Sequence, residues 1–360
     1  MTVQVILEFN CSDQRYLESI EAHKALFDDA QLRGVILGKK YEKCSVIRVT
    51  LGPGERRNSE VTATEKLNQV FFGIMVAGEE AKRCVMKEIC DRDENGLQNM
   101  DEIHAYKRLM KLSPNETMGL TVPYVLVGAV PESAFMYSIM PWVGDPVTSI
   151  RDTLPHAILD GDLFMRALRD LIPALETLHL VANMWHNDIT PVNVMYCIDK
   201  GFSFIDYDTS SIRGCDEDLI KGCILTFNHT YEDCLHPLVD LDNAKEFNES
   251  TMKWMGPAKE SGRISRDSVD QYALLVSIII SLTNIKAIPR SSKSMLPALD
   301  ATRFKLMNGS KTHKTELRNL LNRVCDLINA FIRCNHSSQT AGLRSSIIWS
   351  ELVNICKLNI

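Results

Sequence analysis

The sequence has no CxxC pair among its eleven cysteines, so it offers neither a zinc ribbon nor a dithiol redox motif. It has no basic excess. Lys and Arg number 40 against 46 Asp and Glu, a net charge of −6, which argues against nucleic acid as the main partner. It also lacks an apolar run of membrane-spanning length. The most apolar stretch, YALLVSIIISL from Tyr272 to Leu282, falls well short of the roughly 20 residues a spanning helix needs and reads as a buried helix. No secretory pattern opens the chain, and neither an internal repeat nor a low-complexity tract interrupts it. Scattered thiols without a leader lead to the expectation of an intracellular protein, cytoplasmic or nuclear, with reduced cysteines and no membrane partner.

What is present is ordinary for a globular chain: 360 residues, 45% hydrophobic and 24% charged, enough for two substantial cores. Tyr16, Leu17, Ile20, Ala25 and Leu26 fall at helical spacing, so residues 1–32 are expected as a helical extension. RGVILGKKYEKCSVIRVTL (33–51) gives two strands joined by a basic turn, and GPGERRNSEVTATEKLNQ (52–69) a polar inserted loop. VFFGIMVAG and KRCVMKEI predict a hairpin turning at Ala77 to Ala81, NMDEIHAYKRLMKL (99–112) a helix and AFMYSIM (134–140) a strand. Beyond Pro141 helical patterns dominate, over roughly 162–182, 266–283 and 314–335. The expected organisation is α+β: a strand-rich part over 33–140, a connection PWVGDP at 141–146, a helix-rich part over 147–340 and a tail over 341–360.

One stretch carries chemistry. WHNDITPVNVMYCIDKGFSFIDYD (185–208) sets Asp188 and Asn193 five residues apart, with Asp206 beyond the next two apolar runs. Phosphoryl transfer needs such groups: a carboxylate to orient the attacking hydroxyl, oxygen ligands for Mg²⁺, and a cation on the nucleotide phosphates held by a partner acid. Taken alone, Asp188 and Asn193 read first as a helix cap and a turn residue; the bland alternatives for Lys87 and Glu102 are a solvated strand lysine and a solvated helix face beside Asp101.

Six segments in order resemble the motifs of the protein kinase superfamily over residues 33–335. HNDITPVN is similar to the catalytic loop, FIDYD to the strand and metal motif, CVMKEI to the lysine strand, and DEIHAYKRL to the glutamate helix. TMKWMGPAKE (251–260) resembles the end of an activation segment spanning 206–260, and SRDSVDQYALLVSIIISLT the buried helix whose Asp270 supports the catalytic loop through backbone hydrogen bonds. DENGLQNMDEIHAYKRL and VPYV are similar to the vaccinia-related and casein kinase branch. The resemblance implies a two-lobed kinase-like fold, a small strand-rich lobe and a larger helical one, and transfer of the γ-phosphate of ATP to Ser or Thr hydroxyls of a protein. It gives Asp188 as catalytic base, Asn193 and Asp206 as Mg²⁺ ligands, Lys87 on the nucleotide phosphates fixed by Glu102, Met140 as gatekeeper and the backbone of Val143 as adenine reader. His186 is implied as a structural ring packed near the metal motif.

The departures are equally specific. No G-x-G-x-x-G precedes Lys87; LGKKYEKCSV (37–46), keeping Gly38, is the first candidate for the nucleotide loop, with Lys39, Lys40 or Lys43 supplying charge, and LGPGE (51–55) the second. Asn187 replaces an arginine that pairs with a loop phosphate, so control by such a phosphate is not expected. Thr190 replaces a lysine, and Asp208, replacing a glycine, is expected to face solvent. Residues 213–250 carry nine acids against three Lys or Arg, which reads first as a solvated loop and second as a preference for a protein substrate with basic segments. His104, His179 and His236 read as uninformative. Two other functions stay open: a small-molecule kinase of the choline or aminoglycoside type, which HNDITPVN and FIDYD also resemble, and a pseudokinase scaffold, motivated by the lost glycines and Asp208.

Overall fold

The computed structural model describes residues 4–9, 34–44, 46–54, 70–90, 100–128, 135–146, 161–208, 210–212, 266–283, 314–333 and 339–357. Two compact units divide the chain, Met1–Leu112 with Thr121–Trp142, and Ser113–Leu120 with Val143–Ile360.

In the first unit, alternation builds the sheet. Ile47, Val49 and Leu51 are buried while Arg48 and Thr50 are not, and Phe71, Met75 and Ala77 alternate in the same way with Phe72, Ile74 and Val76. The strands are β1 (Gln4–Phe9), β2 (Gly34–Leu37), β3 (Val46–Gly54), β4 (Val70–Ala77), β5 (Glu80–Cys90), β6 (Val125–Gly128) and β7 (Phe135–Pro141). They form one curled sheet in the order β1-β3-β4-β5-β7-β6-β2, every pair antiparallel except β1 with β3. Its inner face is a single apolar cluster that includes Val5, Ile47, Val49, Leu51, Met75, Met86, Val127 and Ile139. The β4–β5 hairpin turns at Gly78, whose φ of +62° is readily adopted by glycine. Helix α1 (Met100–Leu109) follows β5 in this unit.

The second unit is built on α2 (Gly161–Leu180), whose Phe164, Leu168, Leu171, Leu175 and Leu178 recur at helical spacing and are buried. It packs against α3 (Arg266–Thr283), α4 (Lys314–Arg333) and α5 (Gln339–Lys357). Among the described residues the unit also has five short strands: β8 (Asp145–Pro146), β9 (Met184–Trp185), β10 (Val194–Cys197), β11 (Gly201–Phe204) and β12 (Ser211–Ile212). They pair as β11-β10-β8 and as β12-β9.

The chain is thus α+β, and several expectations change. The helical extension over 1–32 gives way, at its start, to a strand: β1 pairs in parallel with β3, with Glu8 accepting from Arg48, and residues 11–33 lie outside the described residues. The two strands of 33–51 form, but they do not pair; β2 lies at one edge of the sheet and β3 next to the other. The expected tail over 341–360 is instead mostly helix α5. Trp349, Leu352 and Cys356 are buried, and Trp349 Nε1 donates to Glu176 of α2 at 2.5 Å. Residues 113–120, expected with the strand-rich part, belong to the second unit, where the N–H of Phe204 donates to the carbonyl of Gly119 at 2.9 Å.

Gly119 makes that crossing possible. Its φ is +72°, and a Cβ there would sit 2.6 Å from the carbonyl oxygen of Asp170 and 2.7 Å from Cβ of Ala174. Gly119→Ala is expected to cost about 2–3 kcal/mol from backbone strain plus overlap, read as a lowered urea midpoint with unchanged m-value. An unshifted midpoint would remove the close-approach account.

Candidate functional site

The 185–208 stretch folds as a loop followed by a tight hairpin. Val194 pairs with Phe204 and Cys197 with Gly201, and the N–H of Ile205 donates to the carbonyl of Asn193 at 3.0 Å. Hairpin register therefore brings Asn193 and Asp206 to the same open end, although they are thirteen residues apart. The loop then turns back: the N–H of Asn193 donates to the carbonyl of Thr190 at 3.0 Å. Asn193 Nδ2 donates to both the backbone oxygen and Oδ2 of Asp188, at 3.0 and 2.8 Å. Asp188, Asn193 and Asp206 form one cluster.

Electrostatics in this cluster are unfavourable to charge on Asp188. Removal from water, and then the nearby Asp206 carboxylate, push its carboxyl up to about 7 against the opposing bond from Asn193. Asp206 adopts φ +64° and Asn187 φ +66°, left-handed conformations that non-glycine residues rarely adopt, although Asn and Asp tolerate them better than most. Asp208 is partly buried rather than in open solvent, and Thr190 is buried.

The loop is held from beneath by α3. Asp270 accepts the N–H of His186 at 2.8 Å and that of Asn187 at 2.9 Å. The His186 ring is buried against Phe204 and Tyr207, with Nε2 donating to the carbonyl of Ile205 at 3.0 Å. Burial holds its imidazole below the usual value, so the neutral ring donates at Nε2 and presents an acceptor at Nδ1 toward the N–H of Asp188. Asn187 sends its side-chain amide to Ser211 Oγ at 2.8 Å, beside the β9–β12 pair.

His179, read from sequence as uninformative, is part of this support. It is buried, its Nε2 lies 2.9 Å from Asp270 Oδ2, and Trp185 Nε1 donates to Asp267 at 2.6 Å close by. The signal available in sequence was a lone polar ring in the last turn of an apolar helix, but its partner is 91 residues away.

In the first unit Lys87 of β5 and Glu102 of α1 form a buried ion pair with Nζ to Oε1 at 2.7 Å. Met140 on β7 is buried opposite Val85, and Val143, at the start of the second unit's longer segment, is buried as well. Trp142 packs under the Arg83 guanidinium at 3.9 Å and donates its N–H to the carbonyl of Arg83.

Gly38 is not brought to Lys87 by strand pairing. It follows β2, three strands from β5, and its N–H is committed to the carbonyl of Tyr124 at 2.8 Å. Two of the three lysines expected beside it have partners of their own, Lys39 the carbonyl of Lys111 and Lys40 the carboxylate of Glu80. β3 pairs with β4 and β4 with β5, so the second candidate, 51–55, begins on a strand one further from the lysine strand than its direct neighbour; Gly54 pairs with Phe71 after a bulge, and residues 55–69 lie outside the described residues. The segment 251–260 and the acidic 213–250 also lie outside them.

No helix among the described residues is long and apolar enough to cross a membrane. No protein-family model and no curated protein matches this chain.

Proposed function

We propose that the chain is an ATP- and Mg²⁺-dependent protein kinase, transferring the γ-phosphoryl group to Ser or Thr hydroxyls. The observation that carries the reading is the grouping of Asp188, Asn193 and Asp206 at the mouth of one hairpin, with Asn193 clamped to Asp188 through its amide nitrogen. Taken by itself, the first unit carries the buried Lys87–Glu102 ion pair, a cation held by an acid of the kind phosphoryl transfer uses.

The donor set fits Mg²⁺. Asn193 commits Nδ2 to Asp188, which leaves Oδ1 for a hard cation, and Asp206 adds a carboxylate. Bound there, Mg²⁺ would neutralise charge on the nucleotide phosphates. Asp188, pushed up to about 7, is poised near neutrality to accept a proton from an acceptor hydroxyl. Glu102 holds the Lys87 ammonium in one orientation for a phosphate oxygen. The acidic 213–250 segment favours acceptors with basic flanks.

The test is transfer from γ-labelled ATP with Mg²⁺, offering basic protein substrates and choline-like amines in separate reactions. Label is expected in protein, falling about a hundredfold in Lys87→Met through loss of phosphate positioning. Label only in the amine would replace the protein substrate by a small molecule. Nucleotide binding without transfer would make the chain a scaffold.

A further inference from the structure

We propose that Ser277 is a positioning residue for Asp188, a second anchor of the loop in addition to Asp270. This rests on the phosphotransfer reading for its consequence, though not for its geometry. Ser277 lies inside the aliphatic stretch of α3, among Leu274, Leu275, Val276, Ile278 and Ile279, all buried. A hydroxyl in such a run is costly to bury unless it is bonded, and in helices the usual partner is the helix's own carbonyl one turn back. Here Oγ reaches beyond the helix and donates to the carbonyl of Ile189 at 3.1 Å, a contact 88 residues away in sequence. Ile189 is itself buried and directly follows Asp188.

The spacing makes this a bracket. Asp270 and Ser277 are seven residues apart, two helical turns, and so share one face of α3. Asp270 accepts from the N–H groups of His186 and Asn187 on one side of Asp188, and Ser277 donates to the carbonyl of Ile189 on the other. One end of the loop is fixed by its donors and the other by an acceptor, so the peptide units flanking those of Asp188 on both sides are tied to one helix. Asp270 alone fixes only the entry; the exit toward Thr190 and Asn193, on which the Asn193–Asp188 clamp depends, is fixed by Ser277.

Two measurements on Ser277→Ala and Ser277→Thr test this. In amide hydrogen exchange, the alanine variant is expected to lose protection by about tenfold at Asn193 relative to the amides of α2, and threonine, which keeps the hydroxyl, to restore it. In transfer assays kcat is expected to fall about tenfold in the alanine variant with KM for ATP unchanged, as expected for a misplaced reactive group, and to recover in threonine. A merely structural serine would lower protection in α2 and the loop alike and leave kcat of the folded fraction intact, which overturns the proposal. If the wild-type chain transfers nothing, the phosphotransfer reading fails. The anchor is then judged by exchange alone, where unchanged loop protection overturns it and selective loss restored by threonine upholds it.

Discussion

Asp188→Asn is expected to lower phosphate transfer by about 10³-fold while making the metal-free protein more stable above neutral pH. The two effects share a cause. The Asp188 carboxyl is taken out of water and faces Asp206, which pushes it up to about 7, far above its value in an unfolded chain. Between about pH 4 and pH 7 the folded state therefore keeps a proton that the unfolded state releases. The stability contributed by the protonated form is fully present below the unfolded value and is lost as pH rises through 7. The linkage bound for a shift of this size is about 4 kcal/mol, and partial solvent access reduces the expected effect to roughly 2 kcal/mol. Asparagine keeps an acceptor oxygen for the Asn193 amide and carries no charge. Urea unfolding in EDTA should give similar stabilities for the two proteins near pH 4.5 and a variant roughly 2 kcal/mol more stable at pH 8. Equal stability at both pH values would mean that the carboxylate is solvated, and would remove the electrostatic basis for Asp188 as a base near neutrality.

Much of this cluster was legible because its information is local. Asp188, Asn193 and Asp206 lie within one stretch whose hairpin can be inferred from two short apolar runs, and the helix over 266–283 was set by its unbroken aliphatic face. The strand and the helix that carry Lys87 and Glu102 were legible from their periods, whereas the choice of those two residues came from the resemblance of CVMKEI and DEIHAYKRL to kinase motifs. What escaped was long-range pairing. QVILEF can be read as a strand, but its parallel pairing with residues 42 positions on has no local signature. Gly38 was ambiguous because a glycine after a short strand is equally a phosphate loop and a cap, and the bond of its amide to Tyr124 has no local signature. The tail over 341–360 was undervalued because α5 mixes apolar and polar residues without a sharp face, and its burial depends on partners on α2 and α4.

The same distinction governs the most destabilising substitution expected in the second unit, Asp270→Ala. The Asp270 carboxylate is shared by three groups that no neighbour in sequence could satisfy: the N–H of His186, the N–H of Asn187 and Nε2 of His179. Alanine leaves these buried donors without that acceptor, and the loss is expected to be about 3–5 kcal/mol, as when one partner of a buried charged network is removed. Asp270→Asn keeps one oxygen but turns an NH₂ toward a donor, so about 1–2 kcal/mol is expected. The asparagine variant is the informative one. It should fold and keep its β10–β11 hairpin, yet with the entry of the loop loosened its transfer should fall further than its stability implies. A double-mutant cycle with His179→Ala then apportions the network. Coupling of 1 kcal/mol or more is expected from the 2.9 Å contact, whereas strict additivity would show that His179 merely fills space and takes no part in holding the loop.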